Sequence, residues 1–269
     1  MNDAAAPDRP TVAGMYDYFL GGTVHTPGDR TAAQRVVQFL PEVSDVAWAN
    51  RGFLQRAVRR MAAEWGLRQF LDLGAGLPTQ RNTHDVVAGA VPDGRVVYVD
   101  IDPVVVARGN RIVAGSGSAA VIEADVCRPE TVLAHPRTQQ LIDFSQPVGL
   151  LMVAVLHFVP DASDPWGLVA RYLEAVPSGS YLAVSHASAD HMSERVRDAL
   201  LAIYADTPHP PVDRSRTEIA RFLDGMELVP PYPGAPAEVT FAGTWGAEDP
   251  AAADSEDNRL TYAGVGRKP

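Results

Sequence analysis

The sequence contains almost no cysteine and no long apolar run. Cys127 is the single cysteine, so no disulfide can form within the chain, as is usual in the reducing cytoplasm. No apolar stretch approaches the roughly 20 residues that a membrane helix needs. Residues 1–10 lack the basic and apolar segments of a secretory signal. We therefore expect a cytoplasmic protein without a membrane-embedded part.

Basic residues are outnumbered by acidic ones. Lys and Arg total 23 and Asp and Glu total 33, which gives a formal net charge of −10 at pH 7. An acidic surface repels phosphate groups, so the charge argues against nucleic acids and anionic membranes as partners. We interpret Arg51, Arg56, Arg59 and Arg60 as part of a solvated helix face. The sequence leaves the oligomeric state open.

The chain of 269 residues is long enough for one large α/β domain with an appendage. Residues 1–10 are small, polar and proline-containing, which predicts a disordered tail. Residues 11–65 are predicted to form a helical extension or lid, in which Asp29 caps one helix and Ser44 caps a longer one. Residues 66–269 then form the main domain.

Short apolar runs alternate with helical segments across this main domain. The predicted strands are 68–73, 96–100, 121–124, 148–155, 181–184, 226–229 and 260–265, with a possible short strand near 239–241. Short buried strands separated by helices are typical of a parallel sheet that is covered on both faces.

A glycine-rich turn follows the first of these strands. Gly74 and Gly76 allow the backbone to turn sharply and leave room for a ligand against the main chain. A helix that begins near Thr79 would direct free N–H groups toward the same space. Asp72, at the strand end, suits a cationic ammonium group and disfavours a pyrophosphate. The third glycine of the dinucleotide pattern is also missing, because Thr79 stands there.

Two further aspartates follow the next two strands. Asp100 ends the second strand, where an acidic residue can accept hydrogen bonds from ribose hydroxyls. Asp102 and Pro103 are expected to start the following helix as its cap and first residue. Asp125 follows the third strand and could bind the exocyclic amine of an adenine. All three strand ends are expected to meet at the carboxyl edge of one sheet, where ligands bind in open α/β folds.

The order of these motifs resembles class I S-adenosylmethionine-dependent methyltransferases. More narrowly, segments 15–22, 50–54, 154–161 and 266–269 look like a bacterial family known as S-adenosyl methyltransferases. The resemblance implies a Rossmann-like methyltransferase fold of the α/β class. Such a fold has a mostly parallel seven-stranded sheet with an antiparallel last strand and helices on both faces.

The resemblance also implies that S-adenosylmethionine is the cofactor, and it assigns a contact to each strand end. The implied contacts are Asp72, Gly74, Ala75 and Gly76 at the methionine end, Asp100 at the ribose, Ile101 on the adenine face, Asp125 and Val126 at the adenine edge, and Ala154 and Val155 at the sulfonium. The chain departs from the wider superfamily at Pro78 and Thr79, where a small residue is common.

Candidate catalytic residues follow the fourth and fifth strands. His157 could act as a general base if the methyl acceptor must lose a proton, and His186 is a second candidate. Tyr18 belongs to a segment that could fold over the cofactor as a lid. Arg51 could pair with the carboxylate of the cofactor. No cluster of His and Cys has the spacing of a metal site.

Three functions remain open from the sequence. The first is methyl transfer to a small-molecule acceptor, in which the protein aligns the two substrates. The second is an NAD-dependent oxidoreductase on a Rossmann sheet, against which Asp72 and the missing third glycine argue. The third is a regulatory protein that binds S-adenosylmethionine without using it.

Overall fold

The computed structural model describes residues 9–77, 82–255 and 259–269. The helices in these residues are α1 Val12–Phe19, α2 Pro27–Phe39, α3 Val43–Ala63, α4 Thr83–Ala90, α5 Pro103–Ile112, α6 Pro129–Leu133, α7 Pro136–Leu141, α8 Pro165–Glu174, α9 Glu194–Tyr204, α10 Arg216–Ala220 and α11 Pro250–Ala253. The strands are β1 Gln69–Leu73, β2 Arg95–Asp100, β3 Ala119–Glu123, β4 Gly149–Val153, β5 Tyr181–Ala187, β6 Glu227–Leu228, β7 Thr240–Phe241 and β8 Thr261–Arg267.

One sheet of eight strands organises the described chain. Its order is β3-β2-β1-β4-β5-β8-β6, and β7 pairs with β8 beside this path. The first five strands run parallel, whereas β8 is antiparallel to β5, β6 and β7. The predicted fold class is therefore confirmed. The eighth strand is the short segment that the sequence marked as possible near 239–241.

The sheet has a hydrophobic core on each face, because successive side chains of a strand point to opposite sides. Leu71 and Leu73 of β1 pack into one core, together with residues of α8 and β4. Phe70 of the same strand packs into the other core, against Phe53 and Met61 of α3. The buried strands thus hold the carboxyl edge of the sheet at a fixed position between two layers.

A third core joins the N-terminal helices to α9. Met15 and Phe19 of α1 pack with Val36 of α2 and with Ile203 of α9. These helices form a separate layer, which we call the cap and define as residues 11–47 together with 192–204. No helix among the described residues is long and apolar enough to cross a membrane.

Two of the predicted helix caps are wrong and one is confirmed. Helix α2 is capped by Thr26, and Asp29 instead accepts the backbone N–H of Thr26 as its capping-box partner. Pro27 explains the shift, because proline is favoured at the first helical position. Helix α3 already begins at Val43, so Ser44 lies inside its first turn. Asp102 caps α5 as predicted, by accepting the N–H of Val104.

Candidate active site

The sheet order places the predicted cofactor residues side by side. Strands β3, β2, β1 and β4 are consecutive neighbours, so the segments that follow their carboxyl ends line one continuous edge. Backbone hydrogen bonds join these ends, from Ala124 to the carbonyl of Asp100 and from Gly74 and Ala75 to the carbonyl of Val99. The four motifs that are separated in sequence therefore form one connected surface.

The glycine turn needs glycine for two different reasons. Gly74 has a φ of +78°, and a Cβ built there would lie 2.3 Å from Cγ2 of Val155. Gly76 has a φ of +65°, but a Cβ there would meet no atom of the described residues within 4 Å. The first glycine thus allows the close approach of the β4 end, whereas the second faces open space. Residues 78–81, including Pro78 and Thr79, lie outside the described residues.

Asp100 is buried at the end of β2. Its carboxylate accepts the backbone N–H of Gly76 at 2.8 Å and that of Asp102 at 2.9 Å. Burial raises the pKa of this carboxyl, and the two N–H donors oppose the rise. A carboxylate offers about four lone-pair positions, so Asp100 keeps acceptor capacity for further hydroxyl donors.

Asp72 lies deeper, and among the described residues the hydrogen bonds of its carboxylate come from fewer donors than those of Asp100. The hydroxyl of Thr83 donates to Oδ2 of Asp72 at 2.6 Å. Burial raises the pKa of Asp72 to about 6, although Thr83 and the positive charge of Arg51 lower it. Arg51 is itself buried, and together with Asp72, Gly76 and Tyr98 it lines a crevice beside the glycine turn.

The adenine candidates differ in exposure. Ile101 is 47% exposed, so its side chain forms an apolar surface next to Asp100. Asp125 is half-buried, and its Oδ1 accepts the N–H of Cys127 at 2.8 Å. Val126 packs against the core, and its carbonyl accepts the hydroxyl of Tyr172 at 2.9 Å. These residues frame the β2–β3 end of the edge.

The end of β4 adopts a strained backbone conformation. Ala154 has a φ of +55°, in the left-handed region that side chains with a Cβ disfavour. Its N–H is shared between the carbonyl oxygen of Ser185 at 3.1 Å and the hydroxyl of Ser185 at 3.0 Å. Strain of this kind is concentrated at functional sites. Here the strained residue precedes Val155, whose side chain lies against Gly74.

His157 lies in a 3-10 turn just beyond β4. Its Nδ1 accepts the backbone N–H of Ala187 at 3.3 Å, so the ring proton belongs on Nε2. Burial, together with His186 and Arg214, holds the pKa of His157 well below its usual value. The ring is therefore neutral at physiological pH.

His186 is fully buried and both of its ring nitrogens have protein partners. Nδ1 donates to the carbonyl of Ala187 at 2.5 Å, and Nε2 accepts from the guanidinium of Arg214 at 3.0 Å. Burial lowers the pKa of His186 to about 4. Arg214 also binds the carbonyls of Leu156 and Val159, so this cluster fixes the loop after β4.

The cap contacts helix α5 through the turn that follows α1. Tyr18 of α1 is half-buried, and its ring contacts His25 edge-on. Buried Asp17 binds His25 at 2.9 Å and orders the turn after α1. The carbonyl of Val24 in this turn accepts a hydrogen bond from Arg108 of α5. The cap is therefore tied to the helix that follows Asp100.

Several polar residues that were not predicted from the sequence complete the site. Thr83 binds Asp72, Ser185 binds Ala154, and Asn50 accepts the hydroxyl of Ser185 at 2.5 Å. Arg214 fixes the loop around His157. The available signal was a polar residue inside an apolar element, as Ser185 is in β5, because buried polar groups need partners.

The fold and this edge define a class, the Rossmann-like methyltransferases. The profile of the S-adenosyl methyltransferase family matches residues 2–269, and the chain belongs to this family. S-adenosylmethionine is accordingly its cofactor, and methyl transfer from that cofactor is its activity. This result decides against the NAD-dependent alternative. No match to the chain was found among the curated proteins.

Solved structures agree with the family. The chain is 37% identical to a proposed methyltransferase from Thermobifida fusca, with a TM-score of 0.87 over 97% of this chain and 95% of that one. It is 36% identical to a DUF574 family protein from Streptomyces avermitilis, with a TM-score of 0.88 over 97% and 98% of the two chains. The plantazolicin methyltransferase BamL shares the fold at 9% identity, with a TM-score of 0.55 over 95% of each chain.

Proposed function

We propose that this protein transfers the methyl group of S-adenosylmethionine to a small-molecule acceptor that binds between the sheet edge and the cap. The cap is the observation that supports this proposal. Its helices α1, α2 and α9 pack together, and a hydrogen bond from Arg108 to the carbonyl of Val24 connects the cap to α5, the helix that follows Asp100. A cap formed by the same chain would favour acceptors small enough to be enclosed, and enclosure would exclude water. The net charge of −10 also disfavours nucleic acids.

The polar groups of the edge fit the proposed ligand. Asp100 retains acceptor capacity for the two ribose hydroxyls, and Asp125 with Val126 would hold the adenine edge while Ile101 covers its face. Asp72 would bind the methionine ammonium. Arg51 would bind the methionine carboxylate, because a guanidinium forms paired hydrogen bonds with a carboxylate.

The glycine turn and the β4 end would hold the rest of the cofactor. Gly74 lies against Val155, so both segments are available to line the sulfonium together with Ala154. Gly76 leaves its side open, which suits close approach of the methionine moiety. Tyr18 would close the site from the cap.

The bound cofactor supplies an activated methyl group, and the protein residues align the acceptor with it. We propose that His157 contacts the acceptor through Nε2. In the tautomer set by Ala187 this nitrogen donates a hydrogen bond, so it would orient the acceptor. The proton-accepting role expected from the sequence requires the other tautomer. His186 has both nitrogens engaged, and we give it a structural role.

The test is production of S-adenosylhomocysteine from labelled S-adenosylmethionine. Bacterial extract would be divided by ultrafiltration into a metabolite fraction and a macromolecule fraction. We expect turnover with the metabolites alone. Turnover confined to the macromolecules would overturn the small-molecule proposal. Cofactor binding without turnover in either fraction would favour the regulatory alternative.

A further inference from the structure

We infer that Ser185, Asn50 and Tyr16 form a positioning relay that holds the β4 end in its cofactor-binding conformation and connects it to the cap. Among the proposed cofactor contacts, the relay is hydrogen-bonded to Ala154, through the hydroxyl of Ser185. The inference rests on the proposed cofactor site, and it assigns to buried polar residues a function that is separate from ligand contact.

The relay is a chain of hydrogen bonds with one consistent direction. The N–H of Ala154 donates to the hydroxyl of Ser185 at 3.0 Å, and that hydroxyl donates to the Oδ1 of Asn50 at 2.5 Å. The Nδ2 of Asn50 donates to the hydroxyl of Tyr16 at 2.9 Å, which donates to the carbonyl of Ala47 at 3.1 Å. Every hydroxyl both donates and accepts, so each link fixes the orientation of the next.

Two residues of the relay are shielded from water, and the third, Tyr16, is half-buried. Ser185 has no exposed surface and Asn50 is 4% exposed. Buried hydrogen bonds are difficult to exchange for bonds with water, and the loss of one partner leaves the other unsatisfied. Removal of the Ser185 hydroxyl takes the donor from Oδ1 of Asn50, and it leaves the N–H of Ala154 with the carbonyl oxygen of Ser185 alone.

The relay holds Ala154, whose backbone conformation is unfavourable for a residue with a Cβ. Ala154 has a φ of +55°, which a residue with a Cβ adopts only when its surroundings hold it there. The next residue, Val155, packs against Gly74 of the cofactor turn. Relaxation of Ala154 would therefore move Val155 and disturb the turn. Since Tyr16 lies on α1, the position of the cap bears on the same conformation.

The experiment compares two buried serines of the same region. The hydroxyl of Ser185 accepts an N–H at the carboxyl end of β4, and the hydroxyl of Ser180 accepts the N–H of Val148 at its amino end. The variants S185A and S180A each remove one such bond. We expect S185A to raise the Kd for S-adenosylmethionine about tenfold, and S180A to leave it within about twofold. Calorimetric titration measures both.

Rescue at Ala154 separates positioning from general destabilisation. Glycine adopts a positive φ without steric cost, so A154G removes the need for the relay. We expect the double variant S185A/A154G to bind within about twofold of A154G alone, and Y16F to weaken binding in the same direction as S185A. Equal defects in S185A and S180A, or no rescue by A154G, would overturn the inference.

Hydrogen exchange provides a measurement that does not depend on the cofactor. In the ligand-free protein we expect the Ala154 amide to exchange faster in S185A than in wild type, and at the wild-type rate in S180A. If wild type fails to bind S-adenosylmethionine, the proposed cofactor site fails, while the exchange of Ala154 still decides whether the relay holds it. An unchanged exchange rate in S185A would refute the relay.

Discussion

Asp72 and Asp100 are chemically identical residues at the ends of adjacent strands, and their surroundings give them different properties. Asp100 accepts two backbone N–H groups. Asp72 accepts the single hydroxyl of Thr83, and its burial raises its pKa to about 6. An acid with this pKa is only partly ionised in mildly acidic solution, which makes its contribution to cofactor binding dependent on pH.

We expect S-adenosylmethionine to bind more weakly below pH 6. Ionised Asp72 attracts the ammonium of the cofactor and protonated Asp72 does not. With a pKa of about 6, about a tenth of the carboxyl groups are ionised one unit lower, so the Kd at pH 5 is expected to be up to about tenfold higher than at pH 7. Titrations of binding against pH measure this change.

The variant D72N is the control for this dependence. We expect it to bind weakly at every pH, with a flat profile between pH 5 and 7.

The raised pKa of Asp72 also means that the free folded protein binds more protons than the unfolded chain between about pH 4 and 6. The contribution of Asp72 to stability should therefore fall as pH rises through this window, and D72N should lack this part of the pH dependence. If D72N retained the wild-type pH dependence of binding or of stability, a group other than Asp72 would be responsible for that dependence.

His157 provides a second test at the scale of one residue. Asparagine retains an acceptor near Nδ1 for the N–H of Ala187 and removes the Nε2–H. We expect H157N to keep the Kd for S-adenosylmethionine and to lower kcat with the identified acceptor by about tenfold or more, the effect of about 1.4 kcal/mol in the transition state. The exposed His209 supplies the matched control H209N, with unchanged kcat.

His157 should also leave no titration limb in the rate profile near pH 6.5. Burial holds its pKa well below that value, so the ring stays neutral across the range in which free histidine titrates. A limb near pH 6.5 that disappears in H157N would contradict this assignment and restore the general-base role.

The glycine turn between β1 and α4 illustrates how an element sets the shape of the site. Gly74 and Gly76 both have positive φ angles, and the sequence predicted the same role in the turn for both. The structure distinguishes them, because among the described residues Gly74 lies against the side chain of Val155, whereas Gly76 lies against none. A pattern of glycines therefore predicts a turn, while the packing around the turn decides what each glycine does.

We expect G74A and G76A to differ strongly. A Cβ at position 74 would lie 2.3 Å from Cγ2 of Val155, so the β4 end or the turn must move and cofactor binding should fall by about a hundredfold or more. At position 76 the substitution meets only the backbone preference, roughly 1–2 kcal/mol. Its effect on the Kd should be about tenfold. Equal defects in the two variants would contradict the role assigned to Val155.

The elements themselves were largely predictable. Apolar runs with glycine or proline at their ends identified the strands, and the first parallel strands follow the predicted order along the chain. The strand β5 was expected to end at 184 and instead continues to Ala187. Ser185 and His186 lie in this extension. Because their side chains are polar, the apolar run that predicted the strand ends before them. They are tolerated in the core because each has hydrogen-bond partners there.

At the scale of the whole molecule, the sheet and the cap are the two parts that we expect to enclose the ligand. The sheet brings four strand ends to one edge, and the cap packs α1, α2 and α9 around a hydrophobic core of its own. The hydrogen bonds from Asn50 to Tyr16 and from Arg108 to Val24 connect the cap to the rest of the chain. A ligand held between them should stabilise the folded state as a unit.

We expect S-adenosylmethionine to raise the thermal stability of the protein and NAD to leave it unchanged. A ligand at about 100 times its Kd adds about 2.7 kcal/mol to the free energy of unfolding. For a chain of this size the melting temperature should rise on the order of 5 °C. Differential scanning fluorimetry with both compounds measures the difference. A comparable shift with NAD would indicate a site that does not discriminate the methionine ammonium.

The sequence by itself determined the alternation of strands and helices and the order of the motifs, because strand periodicity, turn glycines and strand-end aspartates are local features. The resemblance of these motifs to a known family then implied the cofactor. Only the tertiary structure decided the relay from Ala154 to Tyr16, the role of Arg214 and the raised pKa of Asp72. Each of these depends on distances between residues far apart in the chain and on the removal of water around them. A local pattern contains neither quantity, and packing in three dimensions sets both.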